Sequence, residues 1–309
     1  MRPSSARQWG DLIAGYRRIH VYTVDPGAYA VACELVPLVR SMDRLVGWYV
    51  DGWSARQEAE TRPSAELQQA LLPGDVLVVG SQTSFTNTQA MLKLASAAGA
   101  ATIFVFDHWK NYAKHFGSGP PADIIVVPDE IGAKSVVRAL GEEVRPRVRI
   151  LPHLAIEAAA DRIAASGIAA DPGIIAFLLD PTERAHELGY DWRTILAAAL
   201  DQKTAPAVRR ILVKPHPRQD VDAVARELAA RRPSGVAVEI FDGKTDDLIA
   251  MASEVWGMTT VALNVALAIG KPIRSFQCGR NEAGARASNP HIEPYLVEQN
   301  ASAEAQWQA

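Results

Sequence analysis

Lys214-Pro215-His216-Pro217 follows the apolar run Ile211-Leu212-Val213. Its two prolines remove two backbone donors and fix φ, so the segment can neither continue as a central strand nor enter a helix at once. What remains is a rigid platform presenting a cation and an imidazole at the end of a strand. That pair suits a phosphate or a departing pyrophosphate: Lys214 supplies a point charge, and His216 a donor or a general acid. The plainer reading is that His216 caps a turn and Lys214 is a solvated edge charge.

Gly257-Met258-Thr259-Thr260 precedes the apolar stretch Val261–Leu267. A small residue and two hydroxyls at a helix start leave backbone N–H groups pointing outward, where the helix dipole adds partial positive charge. This is an anion-binding end without a phosphate-loop lysine, and capping by Thr259 or Thr260 uses the same geometry. Asp107-His108-Trp109-Lys110-Asn111-Tyr112 packs an acid, an imidazole, two aromatics and two polar groups into six residues. Asp107 or His108 is a candidate general base for an acceptor hydroxyl. Trp109 and Tyr112 are candidate stacking surfaces for a sugar or a base, with Asn111 as a polar contact. The bland account is a capping Asp with aromatics that close a domain interface.

Asp25 is another candidate base, and the nearby Gly27 allows close backbone approach. A turn-forming Asp before Pro explains the same residues. Asp180 and Glu183 suit ribose hydroxyls or groups near the phosphates, or the N-cap region of the next helix. Asp51-Gly52 reads as a turn, and His153, after Pro152, as a structural hinge residue. There is no Gly-x-Gly-x-x-Gly loop, no Gly-x-x-x-x-Gly-Lys-Ser/Thr loop and no Gly-x-Ser-x-Gly elbow. No His, Asp or Glu cluster has metal spacing.

The elements that must position these residues are short apolar runs alternating with helical patterns, as in parallel sheets built from βαβ units. Strands are predicted over 19–24, 45–50, 75–79, 101–106, 123–127 and 148–151, and the pattern weakens over the Ala-rich stretch 158–172. It restarts with strands over 174–179, 210–214, 236–241, 254–256 and 272–276. The expected organisation is a Rossmann-like domain over 1–157, a linker over 158–172 and a second Rossmann-like domain over 173–309. Ligands of open α/β sheets bind beyond the carboxyl ends of the strands, where strand order reverses. If that point lies between the first and fourth strands, it selects 25–27 and 107–109 in the first domain. In the second it selects 180–183 and 257–260, and if the two sheets face each other, all four segments line one interdomain cleft.

Composition narrows the class. The 309 residues carry 32 Lys and Arg against 35 Asp and Glu, a net charge of −3, which argues against a nucleic-acid protein. An apolar fraction of 48% excludes disorder. Cys33 and Cys278 stand far apart and read as two buried thiols in a reducing cytoplasm. No apolar run reaches the roughly 18 residues that a bilayer span needs, and 1–20 lacks the core of a signal peptide. Trp9, Leu12, Ile13 and Tyr16 share one helical face beside Arg7, Arg17 and Arg18. The first reading is packing on its own domain; the second is a helix resting on an anionic membrane, which would make the protein peripheral at its inner face.

Taken together, twin Rossmann-like domains, Lys214-Pro215-His216-Pro217 and Gly257-Met258-Thr259-Thr260 ahead of Ala268-Ile269-Gly270-Lys271-Pro272 resemble the GT-B superfamily of nucleotide-sugar enzymes. His216-Pro217 and Thr259-Thr260 look like the His-Pro and Ser-Ser/Thr motifs of bacterial sialyl- and capsule-type glycosyltransferases. Where the sialyltransferases carry two acids before a glycine, this chain has Val50-Asp51-Gly52, with one. The resemblance implies an α/β chain of two doubly wound parallel-sheet domains facing across a cleft. It implies a metal-independent glycosyltransferase of polysaccharide biosynthesis whose second domain binds the donor phosphates through Lys214, His216, Gly257, Met258, Thr259, Thr260, Asp180 and Glu183. The first domain would supply the base, Asp107, His108 or Asp25, and acceptor contacts at Gly27, Trp109, Asn111 and Tyr112. The partners implied are a nucleotide sugar, as substrate rather than cofactor, and a glycan, lipid or protein acceptor. An epimerase or hydrolase of the same fold, or a non-catalytic nucleotide-sugar-binding protein, would carry the same motifs. Replacing His216 by Ala, or Thr259 and Thr260 together by Ala, is expected to weaken nucleotide binding. Thermal-shift titration with CMP, UDP, GDP and dTDP, with and without magnesium, reads this, and unchanged affinity refutes the phosphate role.

Overall fold

The computed structural model describes residues 3–57, 60–82, 84–180, 191–202, 204–231, 235–276 and 289–297. The chain forms two units, Met1–Ala158 and Ala159–Ala309. In the first, the apolar runs become strands β1 (Ile19–Thr23), β2 (Leu45–Val50), β3 (Arg62–Pro63), β4 (Val76–Gly80), β5 (Ala101–Val105), β6 (Ile124–Val127) and β7 (Val148–Ile150). Helices α1 (Pro3–Ile13), α2 (Pro26–Ser41), α3 (Leu67–Ala70), α4 (Phe85–Ala97), α5 (Tyr112–Phe116) and α6 (Glu130–Leu140) belong with them, and α7 (Leu154–Ser166) begins in this unit and ends in the second. All pairings are parallel, in the order β3-β2-β1-β4-β5-β6-β7.

Both faces of this sheet are covered, so its central strands are apolar nearly throughout. β1 and β4 are buried at every position. Side chains alternate between the faces. Val21, Val76, Val78, Ile103 and Val105 join one apolar cluster, and Tyr22, Leu77, Val79, Phe104 and Phe106 the other. α6 starts where Asp129 accepts a hydrogen bond from Gly132 N at 2.7 Å, an N-cap that satisfies an otherwise orphaned helix donor.

The expected strand numbering needs one correction. β3 has only two residues, Arg62 and Pro63, too few to show a periodicity, yet it pairs with β2 at Tyr49 and Val50. The fourth strand is therefore Val76–Gly80, and the break in strand order beside β1 faces Ser81 and Gln82. Asp107 lies one strand further out, at the end of β5.

The second unit holds β8 (Asp171–Leu178), α8 (Trp192–Leu200), β9 (Arg210–Lys214), α9 (Val221–Ala230) and β10 (Ala237–Ile240). It continues with α10 (Thr245–Met251), β11 (Ala252–Gly257), α11 (Val261–Ala268) and β12 (Ile273–Ser275). The parallel order is β10-β9-β8-β11-β12, so here too the first and fourth strands lie side by side, and the fourth is the one the sequence predicted. Phe177, Val213, Trp256 and Phe276 centre the apolar cluster on one face. Asp191 and Asp220 cap α8 and α9. The stretch 158–172, read as a linker, is for the most part the latter half of α7, and its last residues begin β8.

The N-terminal apolar stripe packs inward. Trp9 is 1% exposed, Ile13 is buried, and both join the cluster on Val31, Leu35 and Leu154. Trp9 Nε1–H donates to Pro152 O at 3.2 Å. Cys33 is exposed, not buried as the composition suggested, and Cys278 lies outside the described residues. No helix among the described residues is long and apolar enough to cross a membrane. Trp9→Ala is expected to destabilise the protein by about 3–5 kcal/mol, the cost of emptying a core site of this size. Urea unfolding measures it, and a loss below about 1 kcal/mol would remove α1 from the core.

Candidate functional site

Parallel strands deliver their following loops to one edge of a sheet, and in the first unit that edge gathers Asp25, Ser81, Asp107, Asp129 and His153. Asp107 is the centre. Its carboxylate accepts from His108 Nδ1 at 2.7 Å and from the Ser81 hydroxyl. The same carboxylate rests on the first turn of α2: a Cβ at Gly27 would stand 1.6 Å from Asp107 Oδ2. Only glycine permits that approach, and the positive end of a 16-residue helix favours the charge. Burial raises the Asp107 pKa, but the hydrogen bond and charge of His108, the Ser81 hydroxyl and His153 outweigh it and hold the group down to about 2.

A carboxylate so stabilised is a poor proton acceptor. It serves instead to orient its neighbour. Accepting from Nδ1 places the proton of neutral His108 there and leaves the Nε2 lone pair unprotonated. Of the two candidates, the geometry suits His108 to accept a proton and Asp107 to orient it, as in a nucleophile-activating dyad. The His108 side chain keeps 20% of its surface exposed, enough for substrate to reach it.

Of the acceptor candidates, Trp109 is half-buried. Its Nε1–H donates to Asp129 Oδ2 at 2.6 Å and its ring stacks against His153, centroids 6.4 Å apart. Tyr112 is not a stacking surface. It is 5% exposed and packs edge-on against Phe106, because α5, a helix the sequence did not suggest, turns it into the core. Asn111 starts α5 with φ of 62°. Asp25 is the N-cap of α2, in extended backbone and without a side-chain cap bond. Asp51 accepts from Tyr22 Oη at 2.8 Å and Ser64 Oγ at 2.9 Å, which makes it a strand-end tie.

In the second unit, the break between β8 and β11 brings Asp180 to Thr259. Thr259 N–H and Oγ1–H both donate to Asp180 Oδ2, each at 2.8 Å. Thr260 caps α11, its Oγ1 accepting from Ala262 N at 3.4 Å, while its O–H still has a proton to donate. Gly257 sits where a Cβ would press on Leu178 O at 3.2 Å. The Met258 side chain is fully buried and its carbonyl accepts from Ser275 Oγ, so it offers no side-chain contact to a ligand. Glu183 lies outside the described residues.

His216 folds into its own turn. Its Nδ1 accepts from Arg218 N at 3.1 Å, and its N–H donates to Gln219 Oε1 at 2.8 Å. Burial, with the Arg218 charge adding to it, lowers its pKa to about 3. The ring is thus neutral near pH 7, with its proton on Nε2. It is a fixed hydrogen-bond donor and not a cationic acid. Lys214 supplies the charge on the same platform; its side chain has no protein partner among the described residues and its carbonyl accepts from Leu179 N at 3.0 Å.

Sequence reasoning missed Ser81 and His153 as members of the first constellation. Both follow predicted strands, and that position was the available signal. It also missed His115, fully buried among Phe85, Phe104 and Phe106 with both ring nitrogens unpartnered among the described residues.

No protein-family model matches the chain, and no curated protein matches it by sequence. Solved structures match it in fold. The UDP-GlcNAc 2-epimerase of Methanocaldococcus jannaschii, crystallised with UDP-GlcNAc and UDP, aligns with a TM-score of 0.60 at 11% identity over 94% of this chain and 91% of that one. HepE of Anabaena, crystallised with UDP-glucose, aligns with a TM-score of 0.53 at 14% identity over 85% and 81%. A glycosyltransferase of Rickettsia africae aligns with a TM-score of 0.52 at 10% identity over 95% and 86%. What is shared at these identities is the architecture: an α/β chain of GT-B type with two Rossmann-like parallel-sheet units.

His115 yields a pH prediction. Burial, with the charge of His108 adding to it, lowers its pKa from 6.5 to about 3. Between those values the unfolded chain binds a proton that the folded chain refuses. The stability of neutral His115 is complete above 6.5 and is lost as pH falls through that window. His115→Phe should therefore reduce the loss of unfolding free energy between about pH 7.5 and about pH 5 by about 2 kcal/mol. Denaturant titrations at the two pH values measure it, and an unchanged difference contradicts a neutral buried imidazole.

Proposed function

We propose that this chain is a glycosyltransferase, moving a sugar from a nucleotide-sugar donor to a hydroxyl of a glycan, lipid or protein acceptor. The observation that carries the reading is the Asp107–His108 pair at the carboxyl edge of the first sheet, with a base nitrogen left open on Nε2. The architecture it shares with structures crystallised with UDP-glucose and UDP-GlcNAc supports a nucleotide sugar as substrate, and no separate cofactor is invoked.

The chemistry then runs as follows. His108 Nε2 takes the acceptor hydroxyl proton as the oxygen attacks the anomeric carbon, and Asp107 stabilises the imidazolium that forms. The bond from anomeric carbon to phosphate oxygen breaks, and the leaving nucleotide keeps the electron pair. Lys214, His216 Nε2–H and the Thr260 hydroxyl at the start of α11 meet that negative charge as it develops, while both donors of Thr259 are committed to Asp180. Asp180 holds Thr259 in place and so sets the shape of this end. Gly257 lets β11 and its turn pack tightly against β8.

His108→Ala is expected to lower turnover by about 100- to 10,000-fold, the usual worth of a general base, with nucleotide affinity retained. Nucleotide release from UDP-, GDP-, CMP- and dTDP-sugars, with and without an acceptor panel, provides the measurement. Acceptor-dependent release supports transfer. Donor consumption without acceptor points to an epimerase or hydrolase, and binding without turnover to a non-catalytic protein.

A further inference from the structure

We propose that His153 is a positioning residue for the His108 base, holding the chain bend that lets Asp107 and His108 meet. The name of the reaction rests on the transferase reading above; the geometry does not. Side chains of consecutive residues on extended backbone project to opposite sides. A carboxylate and an imidazole on neighbouring residues can share a hydrogen bond only where the chain between them is bent, and residues 107–110 form such a bend.

Neither backbone polar group of Asp107 is held by a strand partner. Its N–H donates to Ser81 Oγ at 3.1 Å, from the end of β4, and its carbonyl accepts from His153 Nε2 at 3.1 Å, after β7. The donor is itself fixed: His153 Nδ1 accepts from Ile156 N at 3.4 Å at the start of α7, which places the ring proton on Nε2. Burial lowers the His153 pKa and keeps the ring neutral. Trp109 closes the arrangement. Its ring lies against that of His153 at an interplanar angle of 23°, and its Nε1–H is pinned to Asp129, the N-cap of α6. His153 thus clamps the peptide between the two dyad residues while making no bond to the reactive nitrogen.

His153→Phe keeps the ring against Trp109 and removes the donor; His153→Gln keeps a donor at the reach of Nε2. With the bend released, kcat in His153→Phe should fall by about 10- to 100-fold, as for small misplacements of a catalytic group, while KM for the donor stays within about twofold. His153→Gln should restore most of the loss. A long-range proton–nitrogen correlation spectrum near neutral pH reads the same event without turnover. Wild type should show His108 protonated on Nδ1 and His153 on Nε2, and His153→Phe should move His108 toward its other tautomer. A wild-type spectrum with either proton on the opposite nitrogen overturns the proposal whether or not the variants fold. So does a folded His153→Phe that keeps both the His108 tautomer and kcat. A wild type that turns over no nucleotide sugar overturns the transferase reading alone, because the tautomer still reports the coupling.

Discussion

The bond between the Asp107 carboxylate and His108 Nδ1, 2.7 Å long, joins residues that are adjacent in sequence. Such a bond has no support from regular secondary structure, so every group around it must be supplied from elsewhere. Ser81 comes from β4, Asp129 and Trp109 meet after β6, His153 follows β7, and Gly27 opens α2. A parallel sheet makes this possible because each strand ends at the same edge. Four loops and one helix start then converge without any of them being long.

Electrostatics sets the strand-end imidazole differently in each unit. In the first, a carboxylate kept ionised by an imidazole, a hydroxyl and a helix start orients the His108 ring. In the second, the imidazole of His216 is kept neutral by burial and spends its Nδ1 on the Arg218 backbone. That leaves Lys214 as the cation of the platform and His216 as a neutral donor. Asp180 draws both donors of Thr259, so the helix start is shaped by a protein carboxylate. Two histidines in similar strand-end positions thus hold opposite tautomers, because Nδ1 donates in His108 and accepts in His216.

Most elements were legible in the sequence. Buried parallel strands are apolar runs, and Asp caps or prolines mark the helix starts that follow them, as at Asp129, Asp191 and Pro26. The candidate residues at strand ends were legible for the same reason. Strand order in the first unit was not, because Arg62–Pro63 pairs by backbone alone and leaves no side-chain pattern. The aromatic residues were harder. Trp109 and Tyr112 stand three apart in a polar segment, and only the short helix α5, begun by a left-handed Asn111, turns one into the core and leaves the other at the edge.

By itself, the sequence determined an α/β chain of two parallel-sheet units, with its candidate residues in the loops after strands. These follow from local causes: apolar runs, their spacing, and the caps and prolines that end them. The tertiary structure alone decided which ring nitrogen of His108 and His216 is open, that the Asp107 carboxylate stays ionised, and that His153 bonds the Asp107 carbonyl. Each of those depends on a hydrogen bond whose other partner lies elsewhere in the fold or across a bend, and propensity and periodicity carry no information about such partners.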